Sequence, residues 1–270
     1  MDNYDILIVG AGIAGLHCAL RLSTRFPKKN IAITDAANYI GGRIYTYTPP
    51  ENKKIHWEAG AGRINTTHTL TIEYMNKYGL TQIPINSQPK WISKDTKTIE
   101  SNTWPLFVKT LIESLSKIPK SMLATHTLQE ILELIYQKSV VNKILDLFPY
   151  RAEVMTLRAD MALRSFSSDL SPNSNFFVIK EGFHSIVDSM KKELETKNVT
   201  ILQHHKCVSL HSKDTIPMLC HFKTPDGIKT LSASKIILAI PADSLRHLSH
   251  FKSYPILKHI QSSPLLRIYS

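Results

Sequence analysis

Tyr4-Asp5-Ile6-Leu7-Ile8-Val9-Gly10-Ala11-Gly12-Ile13-Ala14-Gly15 is a short apolar run that breaks into three glycines spaced G-x-G-x-x-G. Apolar residues then recur at helical spacing (Ile13, Leu16, Leu20), and a second apolar run, Ile31-Ala32-Ile33-Thr34, ends on Asp35. Strand, glycine turn, helix, strand and acid in that order predict a dinucleotide-binding unit, whereas the glycine triplet alone would be weak. Gly10 allows the tight turn, Gly12 lets a pyrophosphate approach the backbone, and Gly15 lets the helix lie close to the strand. The helix start, with Ile13 and Ala14 in its first turn, offers N–H groups and a positive dipole end to phosphates. Asp35 lies 20 residues past Gly15, where a carboxylate accepts hydrogen bonds from a ribose.

The bulk numbers narrow the remaining choices. The chain has 270 residues, room for one large or two small domains, and 43% hydrophobic content suits a globular core. Its three cysteines (Cys18, Cys207, Cys220) are sparse, odd in number and without metal spacing, which points to a reducing compartment without structural disulfides. The acidic start and short first apolar run do not make a signal peptide, and no stretch reaches membrane-span length, so a cytoplasmic protein is the expectation. A net charge of +11 attracts anions, but the lysines are scattered without aromatic interleaving. We therefore expect a solvated basic surface rather than a nucleic-acid site. His204-His205 lacks helical ligand spacing and nearby carboxylates, so no metal site is expected.

The residues after Asp35 identify the dinucleotide. Asp35-Ala36-Ala37-Asn38-Tyr39-Ile40-Gly41-Gly42-Arg43 resembles the acid-Ala-x-x-x-x-Gly-Gly-Arg signature of the FAD-dependent amine oxidases. That family spans monoamine, polyamine and L-amino-acid oxidases among the glutathione-reductase-like flavoproteins. The resemblance implies FAD as cofactor, with Gly42 passing close to it and Arg43 facing a phosphate. Glu58-Ala59-Gly60-Ala61-Gly62-Arg63 resembles the family segment that runs past the flavin ring. Arg63 stands where L-amino-acid oxidases hold a substrate carboxylate, which a guanidinium fork matches bidentately; its alternative role is a bond to backbone or cofactor. Near Val208 the resemblance implies backbone pairing with the adenine edge.

The rest of the chain fits an α/β, glutathione-reductase-like FAD-binding Rossmann fold with an inserted, largely helical part of a substrate domain. We expect the FAD-binding domain in residues 1–80 and 176–250, the helical insertion in 81–175, and the start of a further substrate-domain segment in 251–270. Residues 66–78 read as a helix capped by Thr66 or Thr67 and ended by Gly79, with Leu70, Tyr74 and Met75 buried. Trp91-Ile92 and Thr98-Ile99 flank a predicted hairpin turn at residues 94–97. Between residues 103 and 166 glycine is absent and helical periodicity dominates, through Leu106, Leu111 and Leu115, then Leu128, Ile131, Leu132 and Ile135, then Val141, Ile144 and Leu145, then Met155, Leu157, Met161 and Leu163. Beyond it, residues 176–183 resemble the family's strand-Gly-Gly entry into a helix, with Glu181 in place of the first glycine. Ile186, Val187, Met190 and Leu194 mark that helix, residues 199–202 a buried strand, and Thr224-Pro225-Asp226-Gly227 a hairpin turn.

Two departures qualify the resemblance. It covers nearly all 270 residues but only the first half or so of a typical member, and residues 262–270 look like the first strand of a continuing domain. The expectation is a fragment, a split gene product or a decayed copy. Arg267 stands near a lysine of many amine oxidases, and an arginine does not titrate at neutral pH. The leading expectation is hydride transfer from an amine or amino acid to flavin, with molecular oxygen as acceptor and no catalytic base nameable. The alternatives are a non-catalytic FAD-binding remnant, a half-protein needing a complementary chain, and a flavoprotein desaturase or protoporphyrinogen-oxidase-like enzyme.

Overall fold

The computed structural model describes residues 1–85, 91, 92, 98, 99, 103–148, 150–169, 175–211, 217–260 and 262. The chain forms two compact units, one from Met1–Ile64, His68–Ile83 and Val178–Ser262 and the other mainly from Pro84–Phe177.

A six-stranded sheet organises the first unit. Its strands are β1 (Asp2–Val9), β2 (Ile31–Thr34), β3 (Thr200–Leu202), β4 (Lys206–His211), β5 (Met218–Thr224) and β6 (Gly227–Leu238), in spatial order β3-β2-β1-β6-β5-β4. β1 runs parallel to β2 and β6, and β3 parallel to β2, while β4, β5 and β6 form an antiparallel meander. The mixture follows from the connections. Parallel neighbours need a crossover, and helix Ile13–Arg25 supplies it between β1 and β2, whereas a two-residue turn suffices between β5 and β6. Leu7, Ile8, Ala32 and Ile33 are fully buried, as expected of central parallel strands covered on both faces. Helix Ile13–Arg25 turns Gly15, Leu16, Ala19, Leu20 and Ser23 inward and packs against helix His184–Thr196, whose Ile186, Val187, Met190 and Leu194 are buried as their spacing predicts.

Several elements differ from their sequence reading. Past the turn at Thr224–Gly227, residues 227–238 form one continuous strand, β6, of twelve residues. Residues 200–202 form the sheet's edge and are half-buried rather than fully buried. The helix read at 66–78 spans Thr69–Lys77, and only Met75 is buried; Leu70 is 48% exposed, while the Tyr74 hydroxyl bonds His17 Nδ1 at 2.8 Å. Gly79, at φ +66°, follows its end as expected.

In the second unit, helices Thr103–Leu115, Lys120–Leu123, Leu128–Ile135, Lys138–Leu147, Arg151–Thr156 and Ala159–Asp169 enclose one apolar core. Trp104, Phe148 and Phe166 meet there edge to face, with centroids 5.4 and 5.0 Å apart. Thr127 and Glu130 form a reciprocal capping box on Leu128–Ile135. Leu111, Leu115, Leu128, Ile131, Leu132, Val141 and Leu145 are buried as read, but Leu106, Ile135, Met155 and Met161 face outward. Trp104, Val108, Val154, Ala162 and Phe166 fill the core in their place. Trp91–Ile92 and Thr98–Ile99 pair antiparallel. The turn at 94–97 and residues 263–270 of the strand expected at 262–270, Arg267 included, lie outside the described residues.

Glu58 joins three segments of the first unit. Glu58 is 9% exposed, and its carboxylate accepts the Thr46 hydroxyl at 2.8 Å and the Phe183 N–H at 3.0 Å. Thr46 Oγ1 in turn accepts the His184 N–H at 2.9 Å, so an acid and a hydroxyl occupy the start of helix His184–Thr196. Replacing Glu58 by alanine strands the Phe183 N–H, and we expect a loss of about 2 kcal/mol in urea unfolding, with Glu58→Gln losing less. Equal stability of Glu58→Ala and the parent would show that the cap contributes nothing.

Candidate functional site

β1 ends where its two neighbours diverge into different connections, the place where open α/β sheets bind ligands. Gly10 N–H donates to Thr34 O, and Ala239 N–H to Val9 O, both at 2.8 Å, so the turn leaves the sheet pinned on each side. Gly10 has φ +108°, and a Cβ there would lie 2.4 Å from Ala239 O. Gly15 is held more tightly still, since a Cβ would lie 1.9 Å from Gly10 O. Gly12 is the opposite case, with no atom within 4 Å of the position its Cβ would take.

That open position faces a cavity of about 540 Å³. Gly10, Gly12, Ile13, Ala14, Asp35, Gly42 and Arg43 line it, joined by His205, Lys206 and Cys207 from the start of β4 and by Ala239, Ile240 and Pro241 beyond β6. Gly12 is the N-cap of helix Ile13–Arg25, no side chain caps it, and the first turn holds no acid. The first N–H groups of a helix have no partner within it, so this end is an anion-binding corner. Gly41 N–H donates to Ala11 O at 2.8 Å, and Gly12 and Gly41 form a parallel bridge, which draws the Gly41-Gly42 turn against the glycine loop.

Asp35 is fixed at the edge of this corner. Its Oδ2 accepts the Ala11 N–H at 2.8 Å and its Oδ1 the Ala37 N–H at 2.9 Å. A carboxylate has about four lone-pair sites, so two remain for a ligand. Arg43 is exposed at the cavity and, among the described residues, its guanidinium has no partner. The cavity therefore sets an open helix start and a free cation beside a fixed carboxylate.

The other expected site residues lie outside the lining. Ala59 N–H donates to Tyr45 O at 2.9 Å and Ala61 N–H to Arg43 O at 3.0 Å, so residues 59–61 run beside Arg43. A Cβ on Gly60 would lie 2.0 Å from Arg43 O, which explains that glycine by packing. Gly62 and Arg63 continue this segment, and Arg63 is exposed. Val208 is a β-bulge residue, since Cys207 pairs with Phe222 and Ser209 with His221. Val208 is 38% exposed and is not among the lining residues, whereas its neighbours Lys206 and Cys207 are. Sequence reasoning missed His205, Cys207 and Pro241 as lining residues, because only the sheet order brings them to the end of β1. Among the described residues no group of three or more His, Cys, Asp or Glu side chains is placed to hold a metal. No described helix is long and apolar enough to cross a membrane.

The fit to FAD is tested by shape as well as charge. A diphosphate needs backbone amides without an intervening side chain, and the vacant Cβ position of Gly12 at an uncapped helix start meets that need. A ribose needs a fixed acceptor, which Asp35 provides. Comparison with known proteins agrees. The model of the family described as flavin containing amine oxidoreductase matches residues 13–266. An L-amino-acid oxidase of Echis ocellatus is 37% identical over 78 residues, 28% of this chain and 14% of its own length. A flavin-dependent L-tryptophan oxidase of Lentzea aerocolonigenes is 36% identical over 77 residues, 28% of this chain and 16% of its own length. The structure of wild-type putrescine oxidase bound to putrescine shares the fold at TM-score 0.67 and 17% identity, over 92% of this chain and 60% of that one. The match covers 14% and 16% of the two oxidases and 60% of putrescine oxidase, less than two thirds of each.

Proposed function

Because the chain belongs to the flavin containing amine oxidoreductase family, we propose that it binds FAD in the glycine-turn cavity and takes part in oxidising an amine or amino acid, with oxygen as the final acceptor. The observation that carries this reading is Gly12, whose missing side chain leaves an uncapped helix start open to the cavity. The N–H groups of the first turn would hold the diphosphate, Asp35 the ribose hydroxyls, and Arg43 a phosphate oxygen. Flavin, when bound, would supply the chemistry, as a hydride acceptor for the carbon next to a neutral amine. The chain binds, orients and shields that group. Residues 60–63 would lie toward its ring, and the backbone of residues 206–208 toward the adenine. We assign residues 1–80 and 176–250 to the FAD-binding domain, 81–175 to part of a substrate domain, and 251–270 to the start of a further segment of it.

Purified chain mixed with FAD tests the cofactor directly. The expected result is retained yellow colour and quenched flavin fluorescence, released on denaturation; folded protein that leaves FAD free would overturn the proposal. Bleaching of bound flavin under anaerobic conditions then distinguishes substrates. If Arg63 holds a substrate carboxylate, Arg63→Ala should weaken an amino acid by about 1.5–3 kcal/mol and leave a simple amine unchanged. Equal losses for both would remove that role.

A further inference from the structure

Two of the three cysteines meet in the cavity wall. Cys207 on β4 and Cys220 on β5 are free thiols with their sulfurs 3.3 Å apart. The contact follows from strand register. Cys207 lies opposite Phe222, residues opposite one another share a face, and residues 220 and 222 share that face by the two-residue period of a strand. Both therefore turn toward the apolar cluster of Leu7, Val9, Phe222 and Leu231. Their surroundings differ: Cys207 lines the cavity, whereas Cys220 is fully buried.

We propose that Cys207 and Cys220 are a redox-active dithiol that a hydroperoxide entering the cavity oxidises to a disulfide. The Cys207 thiolate attacks one peroxide oxygen, the O–O bond breaks, and the departing oxygen takes a proton to leave as water or alcohol. The resulting sulfenic acid meets the Cys220 thiol, an S–S bond forms as the S–O bond breaks, and the hydroxyl leaves with the Cys220 proton as water. Two thiols lose two electrons and two protons, and one peroxide is reduced. The roles follow from position. The hydrogen bond from Cys220 holds the Cys207 thiol below its ordinary range, which suits the attacking sulfur. The same pairing, with burial, raises Cys220 well above it, so Cys220 serves as the resolving thiol that only its neighbour reaches. Closing the bond takes the sulfurs from 3.3 Å to about 2.05 Å. Cys18, on helix Ile13–Arg25, is free and serves as internal control. The proposal rests on the thiol geometry and concerns the flavin-free chain, because Cys207 lines the same cavity that FAD would fill.

The purified chain, reduced and then exposed to hydrogen peroxide with no flavin added, decides it. We expect intact mass to fall by about two daltons, the two thiol hydrogens. Thiols counted in denaturant should drop from three to one, with the crosslinked peptide joining Cys207 to Cys220 and dithiothreitol reversing the change. Cys220→Ser should leave a sulfenic acid on Cys207 that dimedone traps, and Cys207→Ser should leave Cys220 unoxidised. Survival of all three thiols, oxidation confined to Cys18, or over-oxidation of Cys207 with no crosslink would each overturn the proposal.

Discussion

Gly12→Asp should abolish flavin binding while leaving the protein folded and no less stable. The two halves of this result have separate causes in one residue. No atom lies within 4 Å of the position a Cβ would occupy, and the backbone there, φ −69° and ψ 174°, is extended and open to any residue. Asp is among the preferred N-cap residues, and helix Ile13–Arg25 has no side-chain cap, so the new carboxylate can accept an orphan N–H and add about 0.5–1 kcal/mol to the flavin-free protein. The same carboxylate takes the amides the diphosphate would use and sets like charges against each other. A loss of at least about 3 kcal/mol in FAD affinity is expected, over one hundredfold. Fluorescence titration for FAD and thermal melting of the flavin-free chain measure the two halves. A variant that binds FAD as well as the parent would place the diphosphate elsewhere.

Gly15→Val should do the reverse and act through folding. A Cβ at residue 15 would lie 1.9 Å from the carbonyl oxygen of Gly10, a backbone atom pinned by the sheet. Neither the helix nor the glycine turn can move aside without breaking the bonds Gly10 makes to Thr34 and Ala239 makes to Val9. Overpacking of this kind costs roughly 3 kcal/mol or more, a large part of the stability of a domain this size. We expect insoluble protein or a melting temperature lowered by about 10 °C or more, with flavin lost as a consequence. Gly15→Ala gives the same direction with a smaller change. A soluble Gly15→Val variant melting with the parent would show that helix and strand are not in close contact. Together the two glycines separate binding from packing within one four-residue turn.

The glycine loop, helix Ile13–Arg25 and Asp35 were legible because their signals are local: short-range spacing, one strand period and one helix period. The helical unit was legible as helical for the same reason, but its buried faces were only partly so. Leu106, Met155 and Met161 satisfy a helical period as well as Trp104, Val154 and Phe166 do, and only the neighbouring helices decide which phase turns inward. Leu70 was misread likewise, because a short helix at the rim of a unit buries one residue, Met75, rather than a stripe. The helix cap by Glu58 and the thiol pair had no sequence signal. Glu58 meets Phe183 across 125 residues, and Cys207 meets Cys220 through a register in which a bulge at Val208 intervenes.

The twelve residues of β6 carry a further implication, for the order of assembly. β1 is hydrogen-bonded along its length to residues 231–238, from Asp2 opposite Leu231 to Val9 opposite Leu238. A nascent chain that has emerged only to residue 200 therefore has its amino-terminal strand seated on one neighbour, Ile31–Thr34, with the other side bare. Such distant pairings form slowly and leave an unguarded strand edge while they wait. The glycine loop that follows β1 thus acquires its final shape only after residues 231–238 have emerged and paired.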